Sequence, residues 1–64
     1  MSFNKVDSLY DGLQNIINDS QSDVTKFVQG NNSAGTRVRK AMQAVKALAQ
    51  DIRVEVQDQK NKQF

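Results

Sequence analysis

The sequence lacks several residue types on which small proteins commonly depend. Its 64 residues include no cysteine, histidine, proline or tryptophan. Disulfides and thiolate metal sites are therefore excluded, and the usual imidazole ligand and general base are missing. A chain of this length buries only about 60% of the surface that it exposes when unfolded. We therefore expect stability to come from association, and we predict a homodimer.

Groups that would support catalysis are equally scarce. The sequence has no glycine-rich phosphate loop of the Walker type, and its carboxylates form no paired constellation beyond surface aspartates. Tyr10 is better explained as an aromatic residue of a core or an interface than as a catalyst. The prediction is a protein that is not an enzyme, with no catalytic residues, no cofactor, no metal and no small-molecule substrate.

Long hydrophobic runs are also missing. The segment that begins the sequence contains Asp7 and no uninterrupted apolar stretch of the length that a signal peptide or a membrane-spanning helix needs. We expect no membrane partner and no secretion.

Turn-forming residues cluster in the middle of the sequence, in the run Gly30-Asn31-Asn32-Ser33. Gly30 suits the position that closes a first helix, and Ser33 suits the N-cap of a second. We predict one domain over 1–64, with helix one at about 3–29, a turn at 30–33, helix two at about 34–58 and a frayed tail at 59–64.

Apolar residues of the first helix recur at steps of three and four, and only Ser20 interrupts the series: Phe3, Val6, Tyr10, Leu13, Ile17, Val24 and Phe27. This spacing predicts a helix that packs along a narrow seam. Gly12 and the polar stretch 18–23 leave three readings open: a continuous helix, a kinked helix, or two short helices that meet near Ser20.

The second helix shows similar spacing at Val38, Met42, Val45, Leu48 or Ala49, Ile52 and Val56. Residues 52–56 also alternate as a strand would, but a lone short strand has no neighbour to pair with, so we interpret them as helical. A two-helix hairpin encloses no core. The predicted fold is all-α, a helical hairpin that dimerises into a four-helix arrangement.

Charge is distributed unevenly between the two helices. Residues 1–30 carry a net charge of −2 and residues 31–64 carry +4, with four cations and no acid between 31 and 50. A basic segment next to an acidic one favours a polyanionic partner, although a solvated face that only confers solubility would look the same.

Arg37, Arg39 and Lys40 fall close to the predicted start of helix two. Cations there oppose the helix dipole at a cost of about 0.3–1 kcal/mol each when exposed. Gly35 is also unfavourable inside a helix. An incoming phosphate would offset both costs, since the first-turn amides near residues 34–36 attract anions. Further along, Arg39, Lys46 and Arg53 recur every seven residues beside the apolar stripe.

The run Asn32-Ser33-Ala34-Gly35-Thr36-Arg37-Val38-Arg39-Lys40-Ala41 resembles the Ala-Gly-Thr-Arg-x-Arg-Lys-Ala helix of small bacterial histone H1-like proteins. Similar proteins occur in large double-stranded DNA viruses such as chlorella viruses. The resemblance spans about residues 30–56. It implies a nucleoid or virion protein that coats and condenses duplex DNA, with Arg37, Arg39 and Lys40 contacting phosphates. The Lys-rich extensions of longer bacterial members have no counterpart in this sequence.

Together these observations predict non-sequence-specific binding of double-stranded DNA that contributes to condensation or packaging in a nucleoid or virion. The predicted phosphate-binding residues are Ser33, Gly35, Thr36, Arg37, Arg39, Lys40, Lys46 and Arg53. The alternative is a helical interaction module, which would use the same apolar stripes to bind another coiled-coil protein.

Overall fold

Two antiparallel helices form the entire described structure. The computed structural model describes residues 4–63, in which α1 spans Lys5–Val28 and α2 spans Asn32–Gln63. The Cα atoms extend over 51 × 22 × 11 Å. The prediction of an all-α helical hairpin is confirmed. Phe3, where the apolar series begins, and Phe64, where the predicted tail ends, lie outside the described residues.

α1 runs without interruption through residues 18–23, which settles the question left open by the sequence. Asn4 caps its first turn, because its Oδ1 accepts from the Val6 amide at 2.9 Å. Ser20, the residue that interrupts the apolar series, is buried, and its hydroxyl donates to the Ile17 carbonyl at 2.9 Å. A small polar residue therefore occupies the contact side of α1 without leaving an unpaired hydroxyl.

The turn follows the Schellman pattern. The Gly30 amide donates to the Phe27 carbonyl, and the Asn31 amide donates to the Lys26 carbonyl, both at 2.9 Å. These two bonds satisfy carbonyls that the end of α1 would otherwise leave unpaired. Gly30 has a φ of +105°, which glycine adopts without steric cost. The predicted role of Gly30 is confirmed.

The predicted cap of α2 was wrong by two residues. Asn31, not Ser33, accepts from the Ala34 amide through its Oδ1, at 3.1 Å, and Ser33 already lies inside α2. Asparagine is among the strongest N-cap residues. Because Asn31 follows the closing glycine directly, the predicted turn of 30–33 shortens and α2 begins two residues early.

The predicted frayed tail at 59–64 was also wrong for residues 59–63, which continue α2. The Gln59 amide nitrogen donates to Asn4 at 2.9 Å, and Asn4 donates back to Gln59 at 3.0 Å. Lys62 pairs with Asp58 at 3.1 Å, one turn earlier. These polar contacts extend a helix that apolar spacing alone predicts to end near residue 58. The alternating segment 52–56 is helical, as interpreted.

Apolar burial between the helices is shallow. Among the described residues, Ala34 is the one hydrophobic residue that is fully buried. Larger side chains such as Leu9, Leu13, Leu48 and Ile52 are only half-buried. Two helices in contact along one seam leave the flanks of each apolar stripe exposed, so the hairpin has a contact line rather than a core.

The hairpin has two dissimilar faces when both helices are projected at about 100° per residue. One, the polar face, carries both ion pairs that join the helices, Arg37 with Asp23 and Lys5 with Glu55. The other, the apolar face, exposes large hydrophobic side chains from both helices: Tyr10, Ile17, Val24 and Phe27 from α1, and Met42 and Val56 from α2. Neither helix, over residues 4–63, contains a segment apolar enough to span a bilayer.

Replacing Gly30 should destabilise the hairpin, whereas replacing Gly12 should not. Gly30→Ala places a Cβ on a positive-φ residue and should cost about 1–2 kcal/mol. Gly12→Ala places a Cβ at an ordinary 3.7 Å from Leu48 Cδ1 and should gain up to about 1 kcal/mol of helix propensity. Thermal unfolding followed by circular dichroism at one protein concentration measures both. Equal shifts would contradict the turn geometry.

Removing the cap of α2 should distinguish Asn31 from Ser33. Asn31→Ala should lower the free energy of unfolding by about 1 kcal/mol, because the Ala34 amide loses its acceptor. Ser33→Ala should stay within about 0.5 kcal/mol of the unaltered protein. A larger loss from Ser33→Ala in urea unfolding would restore Ser33 as the cap.

Candidate nucleic-acid interface

The hairpin separates charge along its length. Its turn end, residues 22–42, contains four cations and one acid, Asp23, for a net charge of +3. The rest of the chain therefore carries −1 of the total of +2. Folding adds to the sequence pattern here, because the antiparallel arrangement brings the early acids of α1 beside the second half of α2. Positive potential is thereby concentrated at the turn.

The first turn of α2 carries no acidic residue. With Asn31 as the N-cap, the first i→i+4 hydrogen bond of α2 runs from the Gly35 amide to the Asn31 carbonyl. The Ala34 amide donates to the Asn31 side chain. The amides left for an anion are those of Asn32 and Ser33. The anion-binding amides, which the sequence predicts near residues 34–36, therefore lie earlier in the chain. The reason is the same as for the cap, since α2 begins two residues before the predicted start.

Arg39 and Lys40 are exposed, and neither forms an ion pair within residues 4–63. Arg39 lines two shallow clefts together with Thr36, one beside Phe27 and Asn32 and the other beside Lys40. The structure thus brings together three predicted site residues, Thr36, Arg39 and Lys40. Nearby charge, free donors and open surface coincide at this point of the hairpin.

Arg37 is placed differently. Its Nε donates to Asp23 Oδ1 at 2.9 Å, across to α1. The Arg37 side chain nevertheless keeps 49% of its surface exposed, and its terminal nitrogens make no hydrogen bond within residues 4–63. An exposed ion pair of this kind contributes at most about 1 kcal/mol. The pair holds Arg37 on the polar face without removing its remaining donors from solvent.

Gly35 has a structural explanation that the sequence did not reveal. A Cβ added at this position would lie 2.6 Å from Phe27 Cδ1 and 2.7 Å from Cε1, so the ring of α1 rests directly on the backbone of α2. The glycine allows this close approach. Its cost in helix propensity is thus accounted for by packing, and it no longer points to a ligand.

Lys46 and Arg53 continue from Arg39 along the apolar face. Lys46 shares a surface cleft with Arg39 and Met42. Arg53 lies fourteen residues beyond Arg39, about 21 Å along the helix axis, so it does not join the cluster at the turn. The predicted set of eight residues therefore forms one group at the turn end and a row that leads away from it.

Sequence reasoning missed Asn31 and Asn32 as parts of the α2 start, and it missed Asp23 as the partner of Arg37. A signal for Asn31 was present, since asparagine directly after a closing glycine is a strong cap. The Asp23–Arg37 pair was not predictable from spacing, because its residues are fourteen positions apart on different helices.

The comparisons with known proteins bear on this site. A family model described as histone H1-like protein Hc1 matches residues 7–62, which is most of the chain. The chain belongs to this histone H1-like family. The match extends well beyond residues 30–56, which carry the resemblance in the sequence, and includes most of α1. Searches of the curated proteins and of the solved structures gave no match.

Membership of a histone H1-like family indicates DNA as the partner and DNA condensation as the class of function. It also indicates a DNA-associated location and a structural rather than enzymatic protein. The exposed cations at the turn end agree with such a partner.

Relieving the Asp23–Arg37 pair should strengthen DNA binding. Asp23→Asn removes an acid from the positive end and leaves Arg37 without a charged partner, so affinity for duplex DNA should rise several-fold at low salt. Asp58→Asn is the matched control, because Asp58 pairs with Lys62 at the opposite end of the hairpin. Equal gains in fluorescence anisotropy from the two variants would contradict a site at the turn.

Proposed function

We propose that this histone H1-like chain binds double-stranded DNA without sequence specificity, through phosphate contacts made at the turn end of the hairpin. The observation that carries the proposal is the pair Arg39 and Lys40, exposed and free of ion pairs within residues 4–63, next to a helix start that carries no acid. The function served is DNA condensation or packaging, in a nucleoid or a virion.

The chemistry of the turn end suits a phosphate. The amides of Asn32 and Ser33 and the positive end of the α2 dipole favour an anion. The Ser33 and Thr36 hydroxyls are additional donors on an exposed surface. Arg39 and Lys40 supply the charge that displaces condensed counterions from DNA, which is the main source of non-specific affinity.

The proposed contacts do not involve the edges of the DNA bases. Asparagine can recognise adenine through both of its amide groups. The Asn31 Oδ1 is already used to cap α2, so this side chain is not available for bidentate contact without destabilising the helix. Phosphate contacts by arginine, lysine and backbone amides fix position without carrying sequence information.

We also propose that the chain forms a homodimer. The chain exposes 5266 Å², whereas a compact monomer of 7.2 kDa exposes about 4,100 Å². The excess of roughly 1,100 Å² exceeds the area of about 800 Å² that each partner buries in a standard interface. A second hairpin laid on the apolar face would cover Tyr10, Ile17 and Met42, which are 43–53% exposed.

The same apolar face is the one observation that favours the alternative function, a helical interaction module. Such a module would bind a different amphipathic helix through this surface, and the basic row beside it would select the partner. The two functions make opposite predictions for unrelated duplexes, since a DNA-binding protein should bind all of them at low salt and an interaction module should bind none.

The turn-end cations should set both affinity and salt dependence. Arg39→Ala with Lys40→Ala should weaken binding to any duplex, and it should reduce the log–log salt slope by roughly 0.9 for each phosphate contact that is lost. Lys60→Ala with Lys62→Ala removes the same charge in the last turn of α2 and is the control. Unchanged helical content and mass would show that folding is intact.

An equal loss of affinity in the two double variants would mean that overall charge, rather than the turn end, governs binding. Retained binding in both would exclude this surface.

A further inference from the structure

We propose that two hairpins pair through their apolar faces with α2 of each lying across α1 of its partner, so that both turn ends point the same way. The inference rests on the proposed dimer and specifies its geometry. Two face-to-face arrangements keep every neighbouring pair of helices antiparallel. In one, α2 lies over the partner's α1 and the turns share one end; in the other, like helices overlie each other and the turns lie at opposite ends.

The register of one hairpin shows which residues stand level. Three contacts across the seam join residues whose numbers sum to 60: Gly12 with Leu48, Asp23 with Arg37, and Lys5 with Glu55. The rule places Asp7 level with Arg53, Gln14 level with Lys46, and Gln21 level with Arg39. All six side chains are exposed.

These six residues occupy the two outer edges of the apolar face. Projection at about 100° per residue places Arg39, Lys46 and Arg53 along the α2 edge, and Asp7, Gln14 and Gln21 along the α1 edge. Each series repeats every seven residues, so each follows its helix as a straight row. One edge of the face is cationic, and the other is acidic or amide-bearing.

Charge then distinguishes the two arrangements. When α2 crosses the partner's α1, the two rows meet in register, and Arg53 faces Asp7 while Lys46 and Arg39 face glutamine side chains. When like helices overlie each other, the α2 edges meet and six cations line one groove with no acid among them. Opposed like charges at an interface are unfavourable, whereas complementary charges fix its register.

The favoured arrangement has a consequence for DNA. Both Arg39–Lys40 clusters lie at one end of the bundle, on opposite sides of it. A bundle two helices wide is about 20 Å across, which matches roughly six phosphates along one strand. The dimer therefore holds one duplex at two points. In the opposite-end arrangement both clusters would instead lie on the same side of the bundle, about 25–30 Å apart along its axis, because each lies about 11 Å from the start of its own α2.

Distances between identical spin labels decide between the arrangements in the full-length protein without DNA. The sequence has no cysteine, so Gln29→Cys labels the turn end alone and Asn61→Cys labels the open end alone. Both residues are exposed. We expect both variants to give intermolecular distances of about 15–30 Å. Distances near the 51 Å length of the hairpin in both would overturn the inference.

A charge exchange tests the contact itself. Arg53→Asp should weaken dimerisation at least several-fold in sedimentation equilibrium, and adding Asp7→Arg should restore it. Lys26→Asp makes the same change in charge on the polar face and should leave dimerisation unaltered. Failure of the second substitution to rescue the first would contradict the register.

The inference and the proposed DNA function fail in different ways. A monomeric mass at the labelling concentration, with duplex binding retained, would overturn the dimer and leave DNA binding standing. A same-end dimer that binds no duplex would support the geometry and overturn the function.

Discussion

The structure depends on how closely the two helices approach each other at the turn. Gly30 closes α1 in a left-handed conformation, and Asn31 caps α2 one residue later, so the chain reverses over three residues. This reversal buries Ala34 completely and rests the Phe27 ring on Gly35. Contact along a single seam follows, with polar ion pairs on one face and uncovered hydrophobic residues on the other. A longer connection between the helices would require neither the positive φ of Gly30 nor the close approach at Gly35.

The same reversal governs the electrostatics. It sets the acids of early α1 beside the second half of α2 and leaves Lys26, Arg37, Arg39 and Lys40 at the turn with Asp23 as the one nearby acid. Arg37, Arg39 and Lys40 are the sixth, eighth and ninth residues of α2, beyond the first turn in which the helix dipole acts, so the dipole cost that the sequence predicted does not apply to them. Because they are exposed and the chain belongs to a histone H1-like family, we propose that they contact DNA. In our proposal the apolar face serves dimer assembly and the basic end serves DNA contact.

Much of the fold was predictable because helical periodicity and a glycine–asparagine turn are local signals. The boundaries of the helices were less predictable than their existence. The end of α2 depends on the contact of Gln59 with Asn4, which is 55 positions away in the sequence. The N-cap of α2 was misassigned because two asparagines and a serine, all suitable cap residues, follow one another at the turn. Of the predicted site residues, Thr36, Arg39 and Lys40 lie together. Gly35 instead packs against the Phe27 ring, and Arg37 forms an ion pair with Asp23. Spacing cannot reveal such partners, because they come from the other helix.

We propose that DNA contacts the hairpin where α2 begins. The most direct test is to titrate a short duplex of arbitrary sequence into isotopically labelled protein and to follow the backbone amide resonances by NMR. We expect the largest shifts to fall at Asn32, Ser33 and residues 36–40, and we expect them to disappear at high salt. Shifts concentrated at Tyr10, Ile17 and Val56, with the turn end unperturbed, would contradict it.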